Sequence, residues 1–351
     1  MFGFYITLPF LLFALYRMFI VLYNFFTRPF LPNGEPRENQ LVSIVVSTVP
    51  SNNDIGQLLL SLCNQTYKNI EILVYTDPLV SKLSEIIQEF SKSDSRIRLV
   101  ESSIVPEGWI AKNYIYDYSA QIAKGQFIIF IDPNIILEKE VVANALSYMQ
   151  LNDLSLLTVF PKQVSVGQWD KALDCTKYWT LLSMTPLKRI LTGKKSSLST
   201  NDNHFMMFET SSYKAKRWHE KYRGFQDIDF VIGRYLKNSK LRIASLLCLS
   251  GVVITPSLNN SEINSLFYFN FFGRNKNRLF TFTIFSTFGI VLAIFLLPFP
   301  LVFLYLFSII FARMMFAVLY GKSPFITLLT LPVHHIVFVY LVVKFIKTKR
   351  T

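Results

Sequence analysis

The chain is 351 residues long and 51% hydrophobic, with 36 basic against 23 acidic residues and a net charge of +13. A mean hydropathy of +0.34 excludes an ordinary soluble protein, and the length allows two domains. The basic excess comes with no DNA- or RNA-binding motif, so no nucleic-acid partner is expected; Cys63, Cys175 and Cys248 are too scattered to suggest a disulfide framework or metal cluster.

In chain order, Phe2 to Phe26 is almost wholly apolar, with Arg17 its one charge. A bilayer core takes about 20 apolar residues as a helix. The stretch lacks a basic leading region and a small-residue cleavage site, which makes residues 1–27 a transmembrane anchor rather than a removable signal.

From Leu41 to about Ser155, short apolar runs alternate with longer helical ones. Strands are predicted at Leu41–Ser47, Ile70–Thr76, Ile97–Glu101, Phe127–Ile131 and Leu154–Phe160. Helices are predicted near Asp54–Leu62, Val80–Ser91, Ala111–Ala123 and Glu138–Leu151. Strands this apolar, alternating with helices, indicate a mainly parallel sheet covered on both faces. Ligands of such sheets bind beyond the carboxyl ends of the strands. Asp77 and Asp132 stand at two such ends. In "KGQFIIFIDPNIIL" the strand stops at Asp132-Pro133-Asn134, a sequence that suits a plain turn as well as a site.

Further on, Asp170–Leu191 reads as an amphipathic helix with a basic turn, either lying on a membrane surface or covering the sheet. Three apolar segments close the chain: Leu279–Leu297, Leu301–Tyr320 and Pro324–Val343, separated by proline-containing breaks. Ahead of them "FFGRNKNRLF" marks a cytoplasmic, anionic-lipid side, with Arg274, Lys276 and Arg278 facing lipid phosphates. Arg17 and Arg313 inside candidate spans are expected to snorkel. If all four segments cross, the basic tail Lys344–Thr351 falls on the wrong side. Pro332, His334 and His335 make the last segment the least suited to lipid.

Two blocks carry a family resemblance. "VPEGWIAKNYIYDYSAQIAKGQFIIFIDPN" (Val105–Asn134) resembles a block of membrane-bound family-2 glycosyltransferases, nearest the carotenoid- and hopanoid-associated branch. The family pattern is P-x-G-W-x-G-K, a helix, A-x-G, then a strand ending in D-A-D. Pro106, Gly108, Trp109, Lys112, Ala123, Gly125 and Asp132 match it. In Asn203–Ile243, the residues Asn203, Phe205, Phe208, Tyr213, His219, Glu220 and Asp227 match a second family block.

The resemblance implies a GT-A-like α/β domain over residues 40–275, a transmembrane region over 279–346, and the soluble part on the cytoplasmic side of a multi-pass membrane protein. It implies transfer of a sugar from a nucleotide-sugar donor to a lipid-embedded acceptor of polyisoprenoid or carotenoid type. A divalent cation, Mg2+ or Mn2+, would neutralise the departing diphosphate, with Asp132 as its ligand and Asn134 offering a carbonyl oxygen. Asp227 would take the acceptor's proton, with Asp229 as fallback; at a helix start it could equally serve the dipole. Asp77 would contact the nucleotide, and Lys112, near a helix N-terminus, the diphosphate. Trp109 would stack on a sugar or base, fill a core, or meet the membrane. His219 reads as a structural rather than a catalytic histidine.

The chain departs from the family wherever a carboxylate is missing: Thr48 to Asn52 replace an acidic loop, Thr76 precedes Asp77, Asn134 ends D-A-D, and Gln226 precedes Asp227. Metal affinity should fall accordingly. The rival readings are a catalytically degenerate relative that binds or scaffolds, and a transporter subunit, which needs polar pore residues that the spans mostly lack.

Overall fold

The computed structural model describes residues 2–48, 55–76, 81–100, 105–164, 168–193, 200–202, 204–225, 228–254, 267, 271–272, 275–329 and 331–348. The chain divides into two compact units. The sheet unit takes residues 29–164 and 189–256; the helical unit takes 1–28, 165–188 and 257–351.

Among the described residues, the sheet unit is built on eight strands in the order β3-β2-β1-β4-β7-β6-β8-β5. They are β1 (Val42–Ser47), β2 (Ile70–Tyr75), β3 (Ile97–Val100), β4 (Phe127–Ile131), β5 (Ile135–Leu137), β6 (Leu156–Gln163), β7 (Phe205–Glu209) and β8 (Ile243–Ile254). β1 and β4 are buried along their whole length, the mark of strands covered on both faces. Their side chains form one core with Leu58, Leu62, Ile87, Val142 and Leu146. Those residues come from helices α2 (Gly56–Cys63), α3 (Ser81–Ser93) and α5 (Val141–Asn152); α7 (Lys188–Thr192), α8 (Thr210–Lys216), α9 (Trp218–Lys221) and α10 (Asp229–Asn238) follow later in the chain. The fold is the expected GT-A-like α/β type. β1 to β4 are joined in parallel, whereas β7 runs antiparallel between β4 and β6. The strands β5, β7 and β8 were not foreseen. β5 is three residues long, and β7 and β8 lie outside the regular strand–helix alternation that revealed the others.

The helical unit contains α1 (Phe2–Thr27) and α6 (Gln168–Met184). Its later part holds α11 (Lys276–Thr287), α12 (Gly289–Leu296), α13 (Phe299–Leu319), α14 (Pro324–Leu329) and α15 (Leu331–Thr348). Among the described residues, two helices, α1 and α13, are long and apolar enough to cross a bilayer, or three if α11 and α12, bent by 48° at their junction, count as one span. Within the Pro324–Val343 segment the described residues on both sides of position 330, which lies outside them, are helical. Helix α6, inside the 40–275 span by sequence, clusters with the terminal helices and packs on α1 and α15. Its link to α1 is polar: the Asn24 side-chain amide donates to the carbonyls of Leu182 and Thr185, each at 2.8 Å.

Arg17 and Arg313 overturn the snorkelling expectation. They are 9% and 4% exposed, and both guanidinium groups turn inward onto the Trp179 ring, at 4.5 and 4.0 Å. A long side chain snorkels when its end can reach water; here Ser183 and an indole face offer nearer partners.

Candidate active site

The site grows from the exit of β4. Val46 of β1 pairs with Ile131, and Ser47 pairs with Tyr75 at the end of β2. This register sets Asp132, one step past Ile131, level with Ser47 and Tyr75 at the carboxyl edge of the parallel strands. On the other side, Ile131 pairs with Phe205 of β7, and the Asp132 N–H donates to the His204 carbonyl at 3.0 Å.

Asp132 does two things. Its Oδ1 accepts from the Asn134 main-chain N–H at 3.1 Å and from the Asn134 side-chain amide at 3.0 Å, so the turn reading of Asp-Pro-Asn is realised. Its Oδ2 faces Lys112 Nζ at 3.3 Å. Burial pushes the Asp132 carboxyl up, but the charges of Lys112 and His204 and the Asn134 N–H outweigh it and hold the pKa below the usual value. The group is therefore ionised at neutral pH.

Lys112 is the second residue of α4 (Ala111–Ile122). This helix opens from an extended Ile110 with no side-chain cap, and such an end favours an anion. The turn Pro106–Trp109 leads into it. The Trp109 N–H donates to the Pro106 carbonyl at 3.2 Å, and Gly108 takes φ +79°, a conformation that glycine adopts without steric cost. Trp109 is half-buried, edge-on to Tyr114 at 5.5 Å.

Beneath β4 lies an aromatic floor. Tyr116, Phe208 and Tyr213 pack on Phe130, and His219 meets it at 4.9 Å. His219 Nδ1 is 2.7 Å from the Tyr213 hydroxyl. Burial pushes its pKa down to about 3, which leaves it neutral and agrees with a structural histidine. Glu220, its neighbour, pairs with Arg217 at 2.9 Å, and Arg217 also pairs with Asp117.

Asp132, Asn134 and Lys112 thus come together, with Trp109 at the head of the same helix. Asp77 and Asp227 lie outside the described residues, as do the side chain of Asp229 and residues 49–52. Two groups escaped sequence reasoning. Asp202 accepts from the His204 main-chain N–H at 3.0 Å and contacts its ring; the polar run ahead of β7 was the only signal. Asn113 donates to the carbonyls of Arg223 and Phe225 at 3.1 and 2.9 Å, and nothing in its sequence surroundings marks it.

The resemblance implies Mg2+ or Mn2+ at Asp132. The donors among the described residues fit such an ion poorly. Asp132 offers one carboxylate, its oxygens are engaged by an ammonium and an amide, and no cluster of three His, Cys, Asp or Glu that could hold a metal occurs among the described residues. A hard dication favours several anionic oxygens.

A parallel β3-β2-β1-β4 half, a strand-end aspartate and a reversed β7 define the GT-A class of nucleotide-sugar transferase fold. Residues 43–215 match the family model described as Glycosyl transferase family 2. Just under half of the chain is thus similar to the catalytic domain of that family.

Among curated relatives, it is 24% identical over 119 residues to the glycosyltransferase GlyG of Streptococcus pneumoniae, covering 34% of this chain and 38% of that one. It is 29% identical over 166 residues to the UDP-Glc:alpha-D-GlcNAc-diphosphoundecaprenol beta-1,3-glucosyltransferase WfaP of Escherichia coli, covering 43% and 64%. The matched segments therefore span less than two thirds of these relatives' length. Among solved structures, the mannosyltransferase PcManGT of Pyrobaculum calidifontis, in complex with GDP-Man and Mn2+, shares the fold at 11% identity, with a TM-score of 0.52 over 97% of this chain and 95% of that one.

Proposed function

We propose that the chain transfers a sugar from a nucleotide-diphospho-sugar to a lipid-linked acceptor at the cytoplasmic face of a membrane. The observation that carries the reading is the Lys112–Asp132 pair, set by α4 and β4 at the carboxyl edge of the sheet. An acceptor hydroxyl attacks the anomeric carbon, and the bond from that carbon to the nucleoside diphosphate breaks. Lys112 and the start of α4 face the leaving diphosphate, where positive charge stabilises the transition state. Asp227 takes the acceptor's proton, Asp77 contacts the nucleotide, and Trp109 stacks on the donor.

Asp132 in this scheme holds Lys112 in place. A Mg2+ or Mn2+ ion at Asp132 would add Lewis-acid charge on the diphosphate, but the lysine already stands at that carboxylate. The lipid-linked acceptor is supported by the apolar helices of the second unit and by the diphosphoundecaprenol acceptor in the name of the E. coli relative. A carotenoid-type acceptor is the narrower version of the same proposal.

The test is titration of the purified full chain with UDP-glucose, UDP-GlcNAc and GDP-mannose, followed by calorimetry, with and without Mn2+. One donor should bind, and Lys112→Ala should weaken it. A folded chain that binds none of the three would instead favour the scaffolding reading.

A further inference from the structure

The turn at residues 222–225, closed by the Phe225 N–H on the Tyr222 carbonyl at 2.9 Å, is fastened to the head of α4. The Ile110 N–H donates to the Arg223 carbonyl at 2.8 Å. The Asn113 amide donates to the carbonyls of Arg223 and Phe225 at 3.1 and 2.9 Å. Between them, Gly224 comes so close to the turn at Gly108 that a Cβ on it would stand 3.3 Å from the Gly108 carbonyl oxygen. The Arg223 main chain is thus held by residues that flank Lys112 in sequence. Side chains on this turn have a fixed place beside the Lys112–Asp132 pair.

Two of those side chains are exposed. Phe225 is the only aromatic among the large apolar side chains left exposed in the described part of the sheet unit, at 48%. One exposed ring is ordinary on a protein surface; its neighbour and its place single this one out. Arg223 is exposed too, and among the described residues no carboxylate pairs with its guanidinium. The nearby cations are engaged: Arg217 by Asp117 and Glu220, and Lys221 on the Tyr235 ring at 3.8 Å. A guanidinium presents a planar fork of donors that matches a phosphate. In sequence, Arg223 stands four residues and Phe225 two residues ahead of Asp227, the proposed base. Four residues of chain span at most about 14 Å, so an acceptor whose hydroxyl meets Asp227 comes within reach of the turn. A neutral lipid offers this cation nothing to bind, whereas a phosphate between the accepting sugar and its apolar chain does.

We infer that the 222–225 turn docks the acceptor: Arg223 pairs with a phosphate of the lipid-linked acceptor, and Phe225 packs on the apolar part that follows. The acceptor class is then an anionic, phosphate-linked lipid and not a neutral one of carotenoid type. This rests on the transfer reading, with Asp227 as base, and extends it to the acceptor side.

The test uses the purified full chain in neutral detergent, titrated with N-acetylglucosaminyl diphosphofarnesol and with octyl N-acetylglucosaminide. The second carries the same sugar and an apolar chain but no phosphate. The diphosphate probe should bind about tenfold or more tightly, the worth of one charge-assisted contact. Arg223→Gln should cost that probe about tenfold and leave the octyl glycoside unchanged, and Arg223→Lys should cost less. The variants should fold, because the Arg223 carbonyl and not its side chain bonds to α4. Phe225→Ala should weaken both probes, and Arg98→Gln, at an exposed strand position, neither. Equal binding of the two probes to the native chain, or binding of neither, overturns the inference, as does a folded Arg223→Gln variant that holds the diphosphate probe unchanged. Short-chain phosphatidylglycerol bound as tightly as the diphosphate probe, with the same dependence on Arg223, overturns it too, by assigning the arginine to phospholipid head groups. Donor titration of the same samples keeps the two readings apart. A chain that binds no donor sinks the transfer reading alone, while a preference for the diphosphate probe that depends on Arg223 still supports the docking turn.

Discussion

The Asn113 side-chain amide donates to the Phe225 carbonyl at 2.9 Å and to the Arg223 carbonyl at 3.1 Å. Asn113 follows Lys112 on α4, and Phe225 stands two residues before Asp227. One side chain therefore fastens the chain two residues ahead of the proposed base to the helix carrying the proposed diphosphate ligand. The Ile110 N–H reinforces it by donating to Arg223 at 2.8 Å. Asn113→Ala would leave these carbonyls short of a donor, at a cost of about 1–3 kcal/mol. The expected outcome is a fall in melting temperature of about 2–4 °C per kcal/mol. Turnover should fall further than donor affinity, since the base is displaced and the diphosphate contact is not. A turnover unchanged beside a lowered melting temperature would make Asn113 purely structural.

Lys112 and a divalent cation are alternative sources of positive charge at one carboxylate. With Lys112 as the source, EDTA should lower transfer by less than about threefold, and Mn2+ should restore little. Lys112→Ala should weaken the nucleotide diphosphate by roughly tenfold to a hundredfold, the worth of a charge-assisted contact. The same substitution removes the main charge that lowers the Asp132 pKa, so that pKa should rise. NMR titration of the Asp132 carboxyl, in native chain and variant, reads this directly. Complete loss of transfer in EDTA, with full recovery in Mn2+, would return the charge to a metal.

His219 gives the sheet unit a sensitivity to acid. Its pKa is about 3 in the folded chain against about 6.5 when exposed. Between those values the unfolded chain binds the extra proton, so stability is complete above about pH 6.5 and falls as pH drops towards 3. The slope is about 1.4 kcal/mol per pH unit for one such group. His219→Asn keeps a partner for the Tyr213 hydroxyl and cannot titrate. Its melting temperature should be lower at pH 7, because the ring packing on Phe130 is lost, yet flatter between pH 6.5 and 5. An equally steep variant would place the acid-sensitive group elsewhere.

The first half of the sheet unit was legible because burial on both faces forces β1, β2 and β4 into near-continuous apolar runs. Asp132 and Lys112 were legible as a strand end and a helix start. Their pairing was not, since the nineteen intervening residues carry no trace of a 3.3 Å contact. Asn113 acts through main-chain partners distant in sequence, and such bonds leave no pattern in side-chain type; Asp202 acts on His204, two residues on. Arg17 and Arg313 show the opposite failure. Composition marked them as misfits in apolar helices, but only the fold reveals that they share one indole.

Gly125 ties the strand's entry to its exit. A Cβ there would come within 2.7 Å of the Leu41 carbonyl oxygen and the Ser43 main-chain nitrogen, and the Gly125 N–H donates to the Ser43 hydroxyl at 2.8 Å. Two of these neighbours are backbone of the chain entering and forming β1, which cannot give way without shifting the strand. β4 begins two residues later and delivers Asp132 seven residues on, so a displacement at its entry is carried along a rigid, fully buried strand. Gly125→Ala should cost about 1–3 kcal/mol, as overpacking does, and should weaken donor binding although residue 125 lies at the other end of β4 from the Lys112–Asp132 pair. Adding Ser43→Ala removes only the hydroxyl from the crowded set and should restore little of either. Recovery of full stability and donor affinity in that double variant would show the hydroxyl, and not the close approach of two main chains, to be the constraint.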